Sequence, residues 1–168
     1  VRELHSAVKR AVLLAKAEGR DIIRLKDYPD EIASSDNSDV DIEERVIRSL
    51  REKQFSRNAI SETADDLGGL NRGTVAEYFR GYCFKIFAEK NYDVSATVRA
   101  IADNELPDIQ EKVFKKVQEY LNNATELVDR SQPLHYAIQS SKPKYKNLPQ
   151  RYHSYLDKII ENHHRKKA

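Results

Sequence analysis

The chain has 168 residues, with 29 Lys and Arg against 27 Asp and Glu, 39% hydrophobic residues, and only five Gly and five Pro. This helix-leaning balance suits one domain or two small ones. No apolar run approaches the roughly 20 residues of a bilayer crossing, and no signal-peptide pattern opens the chain. One cysteine, Cys83, leaves no disulfide framework or cysteine zinc site to build, so a reducing, cytoplasmic setting is expected. Methionine is absent, so Val1 is not expected to be an initiator, and the chain reads as a piece of a longer protein.

The net charge of +2 hides an asymmetry. Asp27 to Glu44 hold eight acidic residues and no Lys or Arg, whereas residues 142–168 carry +6. A basic end of this kind suits a polyanionic partner, or else a solvated helix and tail.

In chain order, Leu4, Ala7, Val8, Ala11, Val12 and Ala15 share one helical face, and Gly19 ends that helix. Ile22, Ile23 and Leu25 lead into a turn at Asp27, Tyr28 and Pro29. Residues 33–39 are small and polar with nothing to bury, so a linker is drawn at 33–40. Asp41 and Glu44 form a capping-box pattern ahead of the stripe Ile42, Val46, Ile47 and Leu50. Ser56 is placed to cap a second helix that buries Ile60, Ala64 and Leu67 and stops at Gly68 and Gly69. Asn71 is placed to cap a third helix carrying Val75, Tyr78, Phe79, Tyr82 and Ile86 on one face. Further helices are expected near 94–103, 108–121, 123–131 and 148–164. No segment alternates as a strand does, and the expected class is all-α.

Residues 56–82 have the logic of a helix-turn-helix: a short helix ended by glycine, a tight turn, then a helix opening on small and polar residues. Such a second helix enters the DNA major groove with its first turn. Arg72 can then pair with guanine, Asn71 with adenine, and Thr74 can meet a thymine methyl or a phosphate. The pattern alone also admits an ordinary αα-hairpin in which Asn71 only caps a helix.

Asn71, Arg72, Gly73 and Thr74, preceded by Ala64, Leu67 and Gly68, resemble the Fis-type helix-turn-helix that ends NtrC-like, sigma-54-dependent activators. The opening Val1, Arg2, Glu3 and Leu4 with Ala11 to Leu14 resembles the sensor II helix in the lid of those activators' AAA+ ATPase. Asp21 to Arg24 leading into Tyr28 and Pro29 resembles the segment closing that lid. The resemblance implies four parts: 1–32 as the end of the lid, 33–40 as linker, 41–88 as the Fis-type DNA-binding domain, and 89–168 as a helical extension outside the family pattern.

It further implies sequence-specific recognition of double-stranded DNA, a homodimer paired through the helix near 41–52, and contact with sigma-54 RNA polymerase through the AAA+ domain. Arg2 would match the arginine that touches ATP phosphate. ATP and magnesium are expected in the parent protein only. The sequence holds neither a phosphate-cradling glycine loop with lysine nor an acidic magnesium site, so this chain is expected to hydrolyse nothing and to need no cofactor or membrane.

The match has departures. The turn at Gly68, Gly69 and Leu70 is one residue longer than usual, and Ala76 and Glu77 stand where basic residues are common. Glu77 is a candidate acceptor for a cytosine amino group, with Arg80, Lys85 and Arg57 as phosphate candidates. The rival reading is a helical protein-interaction or dimerisation module without DNA contact.

In the extension, Thr97, Ile101 and Ile109 echo Thr63, Leu67 and Val75 from 34 positions earlier. Glu105, Leu106 and Pro107 replace Asn71, Arg72 and Gly73 there, which favours a structural or dimerising role. Lys142 to Lys146 interleave cations with Tyr145, as a phosphate-tracking segment or a solvated loop would. Tyr152, Tyr155, Leu156, Ile159 and Ile160 read as core, and Cys83 as buried rather than reactive. His163 and His164 have no further ligands at metal spacing.

Overall fold

The structure, a computed structural model, describes residues 38–68 and 70–165 and, ahead of them, Val8, Lys9, Val12, Leu13, Lys16 and Gly19. The chain divides into two units, Val1–Ile42 and Glu43–Ala168. In the first, Val8, Lys9, Val12, Leu13 and Lys16 are helical, and Gly19 takes a left-handed φ of +68°. Arg2, the rest of the expected lid segment and linker residues 33–37 lie outside the described residues.

Every regular element among the described residues is helical, with no strand. Helix α1 spans Ser38–Glu52, so the last residues of the expected linker are already helical, and Asp41 lies inside the helix it was expected to cap. Val46, Ile47 and Leu50 are buried along its apolar stripe. Gln54 and Phe55, both at left-handed φ near +50°, turn the chain into α2, Ala59–Asp66. Asn58, rather than Ser56, holds the cap position, and its side chain makes no capping bond. Ala59, Thr63 and Ala64 are the buried residues of α2, while Ile60 and Leu67 are half-buried. The Thr63 and Ser49 hydroxyls lie 3.0 Å apart, a buried pair joining α2 to α1 and giving each hydroxyl the partner it needs away from water.

Gly68 ends this stretch at φ +84°, a conformation that costs glycine nothing. Helix α3, Arg72–Glu89, then runs through the middle of the second unit and packs against α2 and against four later elements. The reason is in its composition. Beyond Val75, Tyr78 and Phe79, it buries Gly81, Cys83, Phe84, Ile86 and Phe87, so the apolar surface goes round the cylinder rather than along one stripe. A helix of that kind needs cover on several sides.

The cover comes from residues 89–168. Asn91 and Tyr92, at φ +53° and +62°, reverse the chain into α4, Val94–Ala102. Asp93 caps it by accepting from the Ala96 amide at 2.8 Å. Asp103, left-handed at φ +48°, ends α4, and Pro107 opens α5, Pro107–Thr125. The α4–α5 pair therefore repeats the α2–α3 arrangement of short helix, left-handed residue and long helix, with Thr97 as fully buried as Thr63. Arg51 of α1 donates to the Ile101 and Ala100 carbonyls at 3.0 Å each, satisfying the C-terminal end of α4.

Helix α5 continues to Thr125, so no separate helix occupies 123–131. The chain then forms α6, Leu134–Ser141, two 3-10 turns at Lys142–Tyr145 and Gln150–Tyr152, and α7, His153–Arg165. Leu156, Ile159 and Ile160 of α7 are buried, each worth roughly 1.5–3 kcal/mol of apolar transfer. Residues 43–168 form one compact unit, which runs across both the expected domain at 41–88 and the expected extension at 89–168.

Candidate nucleic-acid interface

At the start of α3, Asn71 adopts an extended backbone at φ −63° and ψ 131°, and its side-chain oxygen accepts from the Gly73 amide at 2.7 Å. A Cβ on residue 73 would come within 3.0 Å of that oxygen, so glycine keeps the cap tight. Asn71, Arg72, Gly73 and Thr74 are all exposed, while Val75 immediately after them is wholly buried. The turn holds no acidic side chain, so the positive end of the helix dipole favours an anion there, although Asn71 already takes the Gly73 amide.

The residues expected to touch DNA do not gather at one place. Arg72 and Arg57 border one groove of about 410 Å³, with Leu50, Ala59, Ile60 and Phe79 among its apolar lining and Lys112, Lys115 and Lys116 of α5 on it too. Both arginines are exposed, and neither has an ion-pair partner among the described residues. Asn71, Thr74 and Glu77 border a second depression of about 360 Å³, which Asn147 and Pro149 complete. Arg72 therefore stands apart from the other expected base readers.

Glu77 also pairs with Arg80. Arg80 Nη1 donates to Glu77 Oε1 at 2.7 Å, and their side chains are only 26% and 18% exposed respectively. The Arg80 guanidinium lies 5.1 Å from the centre of the Tyr120 ring and 5.8 Å from that of Tyr145. These residues of the later helices hold the cation by its stacking and charge. Burial pushes the Tyr145 hydroxyl up to about 12, and the Tyr120 hydroxyl well above its ordinary value. Glu77 and Arg80 are thus packing residues in this fold, not free readers.

Lys85, a third phosphate candidate, is also engaged. Its ammonium donates to Glu43 Oε1 at 2.9 Å. Glu43, only 7% exposed, also accepts from the Tyr152 hydroxyl and pairs with Arg151 at 3.3 Å. Burial alone would lower the Lys85 ammonium, but the bond to Glu43 and nearby carboxylates hold it above its ordinary value. Burial, then the bond to Glu43, pushes the Tyr152 hydroxyl up. One carboxylate so ties α1, α3 and the Gln150–Tyr152 turn together.

Within the run 142–146, Lys142 and Lys146 are exposed, whereas Tyr145 and Lys144 are engaged by the protein. Tyr145 is buried with its ring 5.9 Å from Phe84, and Lys144 donates to Glu126 at 2.7 Å and to the Asn123 carbonyl at 3.0 Å. Cys83 is 1% exposed, and burial raises its thiol far above the ordinary range, leaving little thiolate to react. Among the described residues no group of three or more His, Cys, Asp and Glu could hold a metal ion, and no helix is long and apolar enough to cross a membrane.

The cations of α5 are not among the candidates that sequence reasoning singles out, because no base reader stands at the start of that helix. The signal was present: Lys112, Lys115 and Lys116 recur at the three- and four-residue spacing that puts side chains on one helix face. Comparison of the chain with family models, with curated proteins and with solved structures finds no match in any of the three.

Proposed function

We propose that this chain recognises specific double-stranded DNA sites as the C-terminal part of a cytoplasmic, NtrC-like sigma-54-dependent activator, with α2 and α3 as a Fis-type helix-turn-helix. The observation that carries the reading is the exposed, Asn71-capped first turn of α3, where Arg72 shares a cation-lined groove with Arg57. In the major groove Arg72 pairs bidentately with guanine, Thr74 contacts a neighbouring base or phosphate, and Arg57 meets the backbone. One such helix reads few base pairs, so two copies act as a homodimer on a roughly palindromic site. In this reading ATP and magnesium are bound by the activator's ATPase core, with Arg2 at the γ-phosphate. Sigma-54 RNA polymerase is met by the same core.

Selection of bound duplexes from a random pool, with the full chain at two salt concentrations, tests the reading. A recurring site is the expected result, and Arg72→Ala should relax preference at one position at a cost of about 1–3 kcal/mol. Failure to enrich any sequence, or an unchanged preference in the variant, overturns it. A second reading, a helical protein-interaction module, is favoured by one observation: Glu77 and Arg80 are taken up by packing against Tyr120 and Tyr145.

A further inference from the structure

We infer that α5 is a phosphate clamp: Lys115 and Lys116, with Lys112 behind them, grip the DNA backbone flanking the bases that α3 reads. The inference rests on the proposed DNA-binding reading and extends it to a part of the chain that the helix-turn-helix does not include. Its basis is a juxtaposition. Five cations from three separate stretches of chain, Arg57, Arg72, Lys112, Lys115 and Lys116, converge on one groove of about 410 Å³. Two of them mark the start of α2 and the first turn of α3, the places from which a helix-turn-helix approaches a duplex. The three lysines thus lie on the same groove as the reading turn.

The apolar lining of that groove matters as much as its cations. Phe79, Ile60 and Leu50 displace water and lower the local dielectric, and a cleft of one sign with such walls focuses its field on an incoming polyanion. Each lysine has an acidic neighbour on α5: Lys112 pairs with Asp108 at 2.5 Å, Lys115 with Glu111 at 2.6 Å and Lys116 with Glu119 at 2.8 Å. These are pairs within one helix, and the Lys115 and Lys116 side chains are 72% and 46% exposed. Solvent screens such pairs, and long side chains exchange them readily for a phosphate. The duplex backbone is opposite in charge to the five cations that line the groove.

The test is binding of the full chain to its selected duplex and to an unrelated one, over a range of salt. Lys115→Gln with Lys116→Gln should weaken binding to both duplexes by roughly tenfold or more near 100 mM salt. The slope of log affinity on log salt should fall by about 2, with site preference unchanged. Glu111→Gln with Glu119→Gln should act oppositely and strengthen binding, because it frees the same lysines. A role in folding alone would not predict that reversal. If the lysine variant binds with unaltered affinity and slope while Arg72→Ala loses preference, the clamp is overturned and the DNA reading stands, leaving the groove to an acidic protein segment. If the unmodified chain binds neither duplex at low salt, the DNA reading itself fails and the clamp goes with it.

Discussion

Tyr152 lies flat against the backbone of Gly81: a Cβ at position 81 would sit 2.1 Å from Cδ2 of its ring. In an exposed helix, Gly→Ala stabilises by about 1 kcal/mol. Here the sign reverses, because the added methyl would have to push a wholly buried ring out of the core. Gly81→Ala should destabilise by roughly 2–3 kcal/mol net, with its denaturant midpoint falling accordingly. A variant as stable as the parent would mean that the ring is not seated there.

Arg80 and Arg72 lie on one helix and should behave in opposite ways. Arg80→Ala strips a guanidinium from between Tyr120 and Tyr145 and leaves Glu77 in a largely enclosed place without its partner. It should cost about 2 kcal/mol of stability and leave any DNA site preference intact in the folded fraction. Arg72→Ala should change preference and leave the melting temperature within about a degree or two, since surface substitutions move stability little. Thermal melts read beside a binding assay separate the two.

Alkaline pH should unfold the protein early. Burial raises the Cys83 thiol above its ordinary 9.0 and the Tyr120, Tyr145 and Tyr152 hydroxyls above their ordinary 10.0. Below those ordinary values both folded and unfolded chains keep the protons, and stability is whole. Above them the unfolded chain releases protons that the folded one retains, so stability falls with pH by about 1.4 kcal/mol per unit for each such group. For Tyr145 the loss runs from 10.0 to about 12. Urea midpoints at pH 8 and pH 11 give the measurement, and equal midpoints would count against the packing described.

Tyr145→Phe refines that experiment. The Tyr145 hydroxyl is buried without a hydrogen-bond partner among the described residues. Removing it should be neutral or stabilise by up to about 1 kcal/mol at neutral pH, because an unmet polar group costs desolvation for nothing. It should also flatten the alkaline slope. A loss of 1 kcal/mol or more at neutral pH would show that the hydroxyl has a partner after all.

A peptide ending near Lys90 should not fold. It would keep α1, α2 and α3 but lose the residues that cover Gly81, Phe84 and Phe87. Far-UV circular dichroism of residues 38–90 should show a small fraction of the helix seen in residues 38–168. Native-like helicity with a cooperative melt would restore the shorter domain expected from the helix-turn-helix pattern.

Much of the helical layout was legible in order along the chain. The cap at Asn71, the stop at Gly68, the stripe of α1 and the apolar side of α7 all lie where their local patterns put them. Helix boundaries differ from those the local patterns suggest at Ser38, Thr125 and His153. The candidate site was legible only in part. Arg57, Arg72 and Thr74 are exposed as expected, whereas Glu77, Arg80 and Lys85 carry charges that sequence-local reasoning counted as free.

The sequence by itself determined the helical class, the capped turn at Asn71 and the burial of Cys83, because caps and periodicity act within a turn or two of helix. Which cations remain available on α3 was decided only by the tertiary structure. Lys85 is claimed by Glu43 from 42 residues away, Glu43 by Tyr152 from 109, and Arg80 by two rings from the later helices. Such pairings depend on how helices apolar on several sides find their cover, and no local pattern encodes that choice.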